Sequence, residues 1–284
     1  MKTLVAEIFR IYKKAPLKIA GIWSLDILES LIIISNPYIL GRCIDGLMKE
    51  NYFWLAVFII TDVVFWLSRT INKYFDTRVY SRIIEEESSD YFSKMIKIGA
   101  DSSLINARLE LVEKIPNFLE IDFFQILNML GGIVASLSFL YLNSTFTVFL
   151  FALVISALIP LVTYQFQKEV VRNNANYKNL EEERMRKIGS RDKLIYGQYI
   201  KNIFGIGVSN SDLDTKIFFV TYCIQIILLF FSILSIVRAG GFTGGLLFST
   251  VNYVEMLNDY VGDINDNLIL LRDLKDDVSR LKEE

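Results

Sequence analysis

Five apolar runs dominate this chain: IAGIWSLDILESLIIISNPYIL (19–40), WLAVFIITDVVFWL (54–67), FFQILNMLGGIVASLSFLYL (123–142), FTVFLFALVISALIPLVTYQF (146–166) and IFFVTYCIQIILLFFSILSIV (217–237). A sixth covers 242–261. A bilayer core is about 30 Å thick and is crossed by about 20 apolar helical residues. The second run reaches that length as 52–71, by including Tyr52, Phe53 and the polar turn after Leu67. Hydrocarbon offers backbone groups no water, so a spanning segment satisfies its own hydrogen bonds as a helix. The expected fold is therefore all-α, a polytopic membrane protein with six spans. A hydrophobic fraction of 52% and only 4 prolines in 284 residues agree.

Basic residues orient the spans, because Lys and Arg near span ends are retained on the cytoplasmic side. The segment before the first span, the two long connections and the C-terminal tail hold 5, 8, 10 and 4 of the 30 basic residues. The other three connections hold Arg42 and Lys49, then none, then Arg238. Both termini are thus expected in the cytoplasm, in the cell (inner) membrane. The N-terminal residues 1–15 carry Leu4, Val5, Ile8, Phe9, Ile11 and Tyr12 at helical spacing among Lys2, Arg10, Lys13 and Lys14. That pattern predicts a short amphipathic helix on the inner membrane face, or simply a basic flank to the first span.

The cytoplasmic connections 72–122 and 167–216 are rich in helix formers, with charges alternating around spaced apolar positions. They read as helices continuing some 30 Å below the membrane, at about 1.5 Å per residue. The tail, 268–284, reads as a further cytoplasmic helix.

Much chemistry is excluded. The chain has no histidine, which removes His-based acid–base catalysis and histidine metal sites. Cys43 and Cys223 fall toward opposite membrane faces, cannot pair within a chain and form no metal site. No Gly-x-x-x-x-Gly-Lys-Ser/Thr loop is present to cradle nucleotide phosphates. No catalytic residue, cofactor, metal or nucleic-acid partner is expected, and the chain should not be an enzyme.

Acidic residues within the spans are the feature that asks for a function. Glu255, Asp259, Asp263 and Asp266 step by four, four and three, so they share one helical face. Asp26 and Glu29 sit near the middle of the first span and Asp62 near the middle of the second. A charge at the bilayer centre costs about 2.5 to 3.5 kcal/mol, more than several apolar neighbours return. Facing lipid is excluded, which leaves a hydrated cavity or protonated groups hydrogen-bonded between helices. Asp26, Glu29, Asp62, Glu255 and Asp259 are the candidate cavity lining, and an uncompensated acidic lining attracts cations. Asp263 and Asp266 read as a solvated face near the inner interface.

Six spans with short outer loops and two long helical inner loops resemble the transmembrane domain of ABC exporters, of the half-transporter type. PYILGRCIDGL (Pro37, Gly41, Ile44, Asp45, Leu47) resembles the family's exit from its first span. Pro160 resembles the proline of its fourth, and GGFTGGLL (Gly241, Thr243, Gly244) its entry into the sixth. The resemblance implies a homodimer, an elbow helix at 1–15, and short coupling helices at the inner loop tips that dock on nucleotide-binding domains. By position these fall near 100–106 and 190–207, giving Ser102, Asn106, Arg191 and Tyr196 as candidate docking residues. The first loop departs from the family pattern in lacking the usual glycine ahead of Ala107-Arg108-Leu109.

The family's sixth span leads into a nucleotide-binding domain, whereas this sequence stops at Glu284. The implied function is a membrane subunit forming the pathway for a cationic or weakly basic solute, with a separate subunit hydrolysing ATP. Two alternatives stay open: an interaction or regulatory subunit without transport, and an ATP-independent secondary transporter using the same carboxylates.

Overall fold

The computed structural model describes residues 2–99, 102–240 and 242–282. They form α1 (Lys2–Lys14), α2 (Pro16–Leu47), α3 (Phe53–Lys97), α4 (Ser102–Asn117), α5 (Phe123–Asn143), α6 (Phe146–Gly189), α7 (Lys193–Ala239), α8 (Gly244–Gly262) and α9 (Ile264–Lys282). No strand occurs among the described residues. Four helical segments are long and apolar enough to cross a membrane: Phe53–Lys97, Arg108–Asn143, Phe146–Tyr177 and Lys193–Ala239. They contain the second to fifth expected spans.

The first expected span lies inside α2 and the sixth is nearly coextensive with α8, but neither is among those four. For α8 the reason is polarity: its 19 residues include Asn252, Glu255, Asn258 and Asp259. Its position explains how such a helix is accommodated. It packs against α2, α5, α6 and α7, and Val254, Leu257 and Val261 are almost fully buried.

The long connections 72–122 and 167–216 are helical as expected, and α3, α6 and α7 each run from a span into them without a break. At about 1.5 Å per residue, α3 with its 45 residues is roughly 68 Å long, about twice the hydrocarbon thickness. α6 and α7 form an antiparallel pair, tied below the spans by amides: Asn173 Nδ2 donates to Ser209 Oγ at 3.0 Å and to Asn210 Oδ1 at 2.9 Å. Within the spans α3 exposes Ile59, Ile60, Val63, Trp66 and Leu67, which suits contact with lipid.

α4 passes into α5 through a π turn at Phe118–Asp122. Pro116 lies just ahead of it, and a proline inside a helix removes a donor from the hydrogen-bond ladder, a recognised cause of such irregularity.

Two apolar cores hold the bundle. One joins α5, α6, α7 and α8 through Leu140, Ile155, Ile159, Leu228 and Leu257. The other lies near the chain termini, where Leu4 and Ile11 of α1 meet Tyr80 and Ile83 of α3, Ile115 of α4 and Val278 of α9. The N-terminal helix is thus partly a protein-packed element: Leu4 and Ile11 are buried while Val5 and Phe9 are exposed.

α1 is pinned by a buried carboxylate. Glu87 of α3 receives Arg10 at 2.7 Å and Lys14 at 2.6 Å. Burial opposes its charged form, but the hydrogen bonds and charges of Arg10 and Lys14 outweigh burial and hold the carboxyl below the ordinary glutamate range. A folded-state value below the unfolded one gives stabilisation that is complete above the unfolded pKa of about 4.3 and is lost as pH falls through the lowered value. Amide-exchange protection of α1 is therefore expected to persist at pH 6 and to drop below about pH 4. Glu87→Gln should lower that protection at neutral pH and flatten its acid dependence; a variant with wild-type protection at both pH values would contradict the clamp.

Candidate functional site

Two of the stretches that carried the family resemblance meet where the C-terminal end of α2 reaches the start of α8. Asp45 Oδ2 accepts from Thr243 Oγ1 at 2.6 Å, and Oδ1 accepts from the Gly245 amide at 2.8 Å. Thr243 is the N-cap of α8, its hydroxyl accepting from the Leu246 amide at 3.1 Å. The first turn of a helix carries unsatisfied amides and partial positive charge, so a carboxylate from α2 fixes where α8 begins. Gly241 lies outside the described residues.

Below this junction α2 and α8 touch through glycines. A Cβ on Gly41 would overlap Ser249 Oγ and lie 2.5 Å from the Gly245 carbonyl oxygen. A Cβ on Gly245 would overlap the Gly41 carbonyl oxygen and lie 2.6 Å from Asp45 Cγ. Ser249 Oγ donates to the Pro37 carbonyl at 2.8 Å and Tyr253 OH to the Ile34 carbonyl at 3.0 Å.

The candidate acids fall into separate groups. Asp26 and Glu29 face α3, where Asn72 Nδ2 donates to Asp26 Oδ1 at 2.6 Å. Arg69 is near enough to attract Glu29 electrostatically, and Glu29 Oε1 is buried without a hydrogen-bond partner. Asp62 is exposed on α3. Glu255 and Asp259 lie on the exposed face of α8, each near enough to the other for their charges to interact. Asp26, Glu29 and Asp62 do not line the cleft that Asp259 borders.

That cleft lies between α6, α7 and the α8–α9 bend, with a volume of about 510 Å³. Asp259, Asp263 and Asp266 form one wall, Asp214 and Gln225 of α7 another, and Gln167 of α6 a third. Gln167 Nε2 donates to Asp266 Oδ1 at 2.6 Å. Burial, then the neighbouring Asp266 and Asp259, push the Asp263 carboxyl above the ordinary aspartate range. Burial does the same at Asp266, opposed by the Gln167 hydrogen bond and reinforced by Asp214. Asn265, buried at the bend, donates to the Pro160 carbonyl at 2.9 Å and to Thr163 Oγ1 at 2.5 Å. The proline of α6 thereby becomes the point where α9 is anchored.

Sequence reading singled out Asp259 and the periodic acids of the α8–α9 segment. It did not single out Asn72, Gln167 and Asp214, which flank the apolar runs among residues that composition alone assigns to solvated ends, or Asn258, which lies inside the sixth run. Their signal was spacing: Asn258 immediately precedes Asp259, and Asn72 stands three residues after Arg69.

At the loop tips the structure differs from the resemblance. α6 and α7 are joined by Ser190, Arg191 and Asp192 alone, and α7 then runs unbroken from Lys193 to Ala239. Among the described residues no separate short helix lies over 190–207. Asp192 caps α7 directly, accepting from the Leu194 and Ile195 amides at 2.7 and 3.4 Å, so the helix starts at once. Arg191 turns the chain with a φ of 53°. Tyr196 is exposed and stacks on buried Tyr199 at 5.8 Å. Asn106 is exposed near the start of α4, donating to Glu110 at 3.2 Å. The Ser102 side chain, with residues 100 and 101, lies outside the described residues.

A family model described as the ABC transporter transmembrane region matches residues 8–245, spanning α2 to α7 and the start of α8. No curated protein matches the chain at a significant level.

Proposed function

We propose that this chain, which belongs to the ABC transporter transmembrane family, forms the solute pathway of an ABC-type transporter as one half of a homodimer. In this reading α2 and α8 are the first and sixth spans, and the protein sits in the cell (inner) membrane with both termini cytoplasmic. The solute is cationic or weakly basic. ATP is hydrolysed by residues outside this sequence, which has no phosphate-binding loop; a separate ATPase subunit seated on the tips around Ser102, Asn106, Arg191 and Tyr196 would supply it.

The observation that carries the reading is the exposed acidic face of α8. Glu255 and Asp259 project from a helix otherwise buried among four others. Charges at that depth are tolerated only where water or protein covers them. A second copy closing over this face would enclose a wet, negatively charged path, whereas a lone chain would leave it against lipid.

The mass of the purified protein, measured both in detergent and in lipid nanodiscs, is expected to be that of a dimer. Monomer alone in both environments would contradict the pathway.

A further inference from the structure

Where the apolar run of α6 ends, α6 and α9 lie side by side and enclose a groove of about 220 Å³. Tyr164, Gln167, Lys168 and Val171 of α6 form one wall, and Asn265, Leu268, Ile269 and Arg272 of α9 form the other. Both sets step by three, one and three, the spacing that puts four residues on one helix face. The two amides are already engaged with the protein: Asn265 donates to the Pro160 carbonyl and Thr163 Oγ1, and Gln167 donates to Asp266. Lys168 and Arg272 remain.

Charge on α9 is sorted by face. Asp266, Asp273 and Asp277 line a cleft that α9 forms with α4, where Lys114 meets Asp277. No acidic residue lines the groove with α6. Among the described residues neither Lys168 nor Arg272 forms an ion pair, so two cations share one groove and the described residues supply no counter-charge.

We propose that this groove binds an anionic phospholipid, with Lys168 and Arg272 holding the headgroup phosphate. Position favours a lipid over a soluble anion. The apolar run of α6 ends at Phe166, two residues before Lys168, in a segment long and apolar enough to cross the membrane. Leu161, Tyr164 and Leu268 are exposed around the groove, a surface that acyl chains cover and a free anion leaves bare. Lys168 Nζ stands 5.3 Å from the centre of the Tyr164 ring, one turn back toward the span, and tyrosine is enriched at the depth of the headgroups. Basic pockets between membrane helices at this level suit anionic headgroups. The arginine offers phosphate oxygens a planar fork and the lysine a mobile point charge. The inference needs only that α6 crosses the membrane, so it stands apart from the dimer, the solute and the ATPase.

The test is native mass spectrometry of the full chain, purified in detergent and titrated with dioleoylphosphatidylglycerol. Wild type is expected to retain one such lipid per chain saturably, under conditions that strip dioleoylphosphatidylcholine, and inorganic phosphate in large excess should not displace it. Lys168→Gln with Arg272→Gln should weaken retention about tenfold or more. Both side chains are exposed, so the bundle core is untouched by these changes. The charge-conserving pair Lys168→Arg with Arg272→Lys should keep the lipid. Lys201→Gln removes an exposed cation of α7 outside the groove and should bind as wild type does. Equal retention of phosphatidylcholine, displacement by phosphate, unchanged binding in the double glutamine variant, loss of the lipid in the charge-conserving pair, or an equal loss in Lys201→Gln would each overturn the proposal.

Discussion

Replacing Gly245 by valine is expected to prevent stable assembly of the bundle, and Gly41→Val to do the same. The two glycines face each other where α2 and α8 cross, and each lacks the Cβ that would otherwise strike backbone of the opposite helix. A flexible side-chain tip could swing aside, but the Gly41 and Gly245 carbonyls cannot. The helices would have to separate, breaking the Asp45 bonds to Thr243 and Gly245 and the bond from Ser249 to the Pro37 carbonyl. Overpacking in a well-packed core costs about 1 to 3 kcal/mol and occasionally more, and the lost cap adds about 1 kcal/mol. Against a total stability of roughly 5 to 15 kcal/mol, that is a large share. Thermal unfolding and size-exclusion profiles in detergent measure it: either valine variant should aggregate or unfold well below wild type. Gly205→Ala, in α7 with nothing within 4 Å of the added carbon, should be neutral or stabilise by about 0.5 to 1 kcal/mol. Valine variants as stable as wild type would show that α2 and α8 do not cross here.

The architecture could be read in the sequence because lipid imposes one rule on every span. Apolar runs near 20 residues gave the second to fifth spans, and the basic residues gave their expected orientation. Gly41, Asp45 and Thr243 were noticed as a pattern 200 residues apart, but only the fold shows that they cap and cross. The first and sixth spans are harder for the same physical reason that makes them interesting. α8 packs among four other helices and α2 turns Asp26 toward Asn72 of α3, so each can set polar groups against protein within its span.

Less of the candidate site was visible. Periodicity put Glu255, Asp259, Asp263 and Asp266 on one face, and the structure keeps Asp259, Asp263 and Asp266 along one cleft despite the helix break at Asp263. It could not tell that Asp26 and Glu29 meet Asn72 across α3 rather than joining that cleft, because a helical wheel says which residues share a face but not which neighbour the face meets. The expected short coupling helix at the second loop tip gave way to a continuous α7 because nothing after the Asp192 cap interrupts the helix: Gly197, Gly205 and Gly207 are tolerated within it.

Energy coupling is the part of the account with the largest all-or-none outcome. A pathway without a phosphate-binding loop can be driven by ATP only if nucleotide-binding residues from outside this sequence press on it. α3, α6 and α7 extend well beyond the spans, and α6 and α7 are held together there by Asn173, Ser209 and Asn210. Exposed Arg191 and Tyr196 lie at one tip and exposed Asn106 near the other. The decisive measurement is affinity purification of the tagged chain from native membranes, with mass spectrometry of what is retained and phosphate release from the retained complex. An ATPase bearing a phosphate-binding loop is expected in near-equal amount, hydrolysing ATP, and largely lost when Arg191 and Tyr196 are both changed to alanine. A chain that purifies as a folded dimer with no such ATPase, even after cross-linking in the membrane, would contradict the assignment of an ATP-driven pathway.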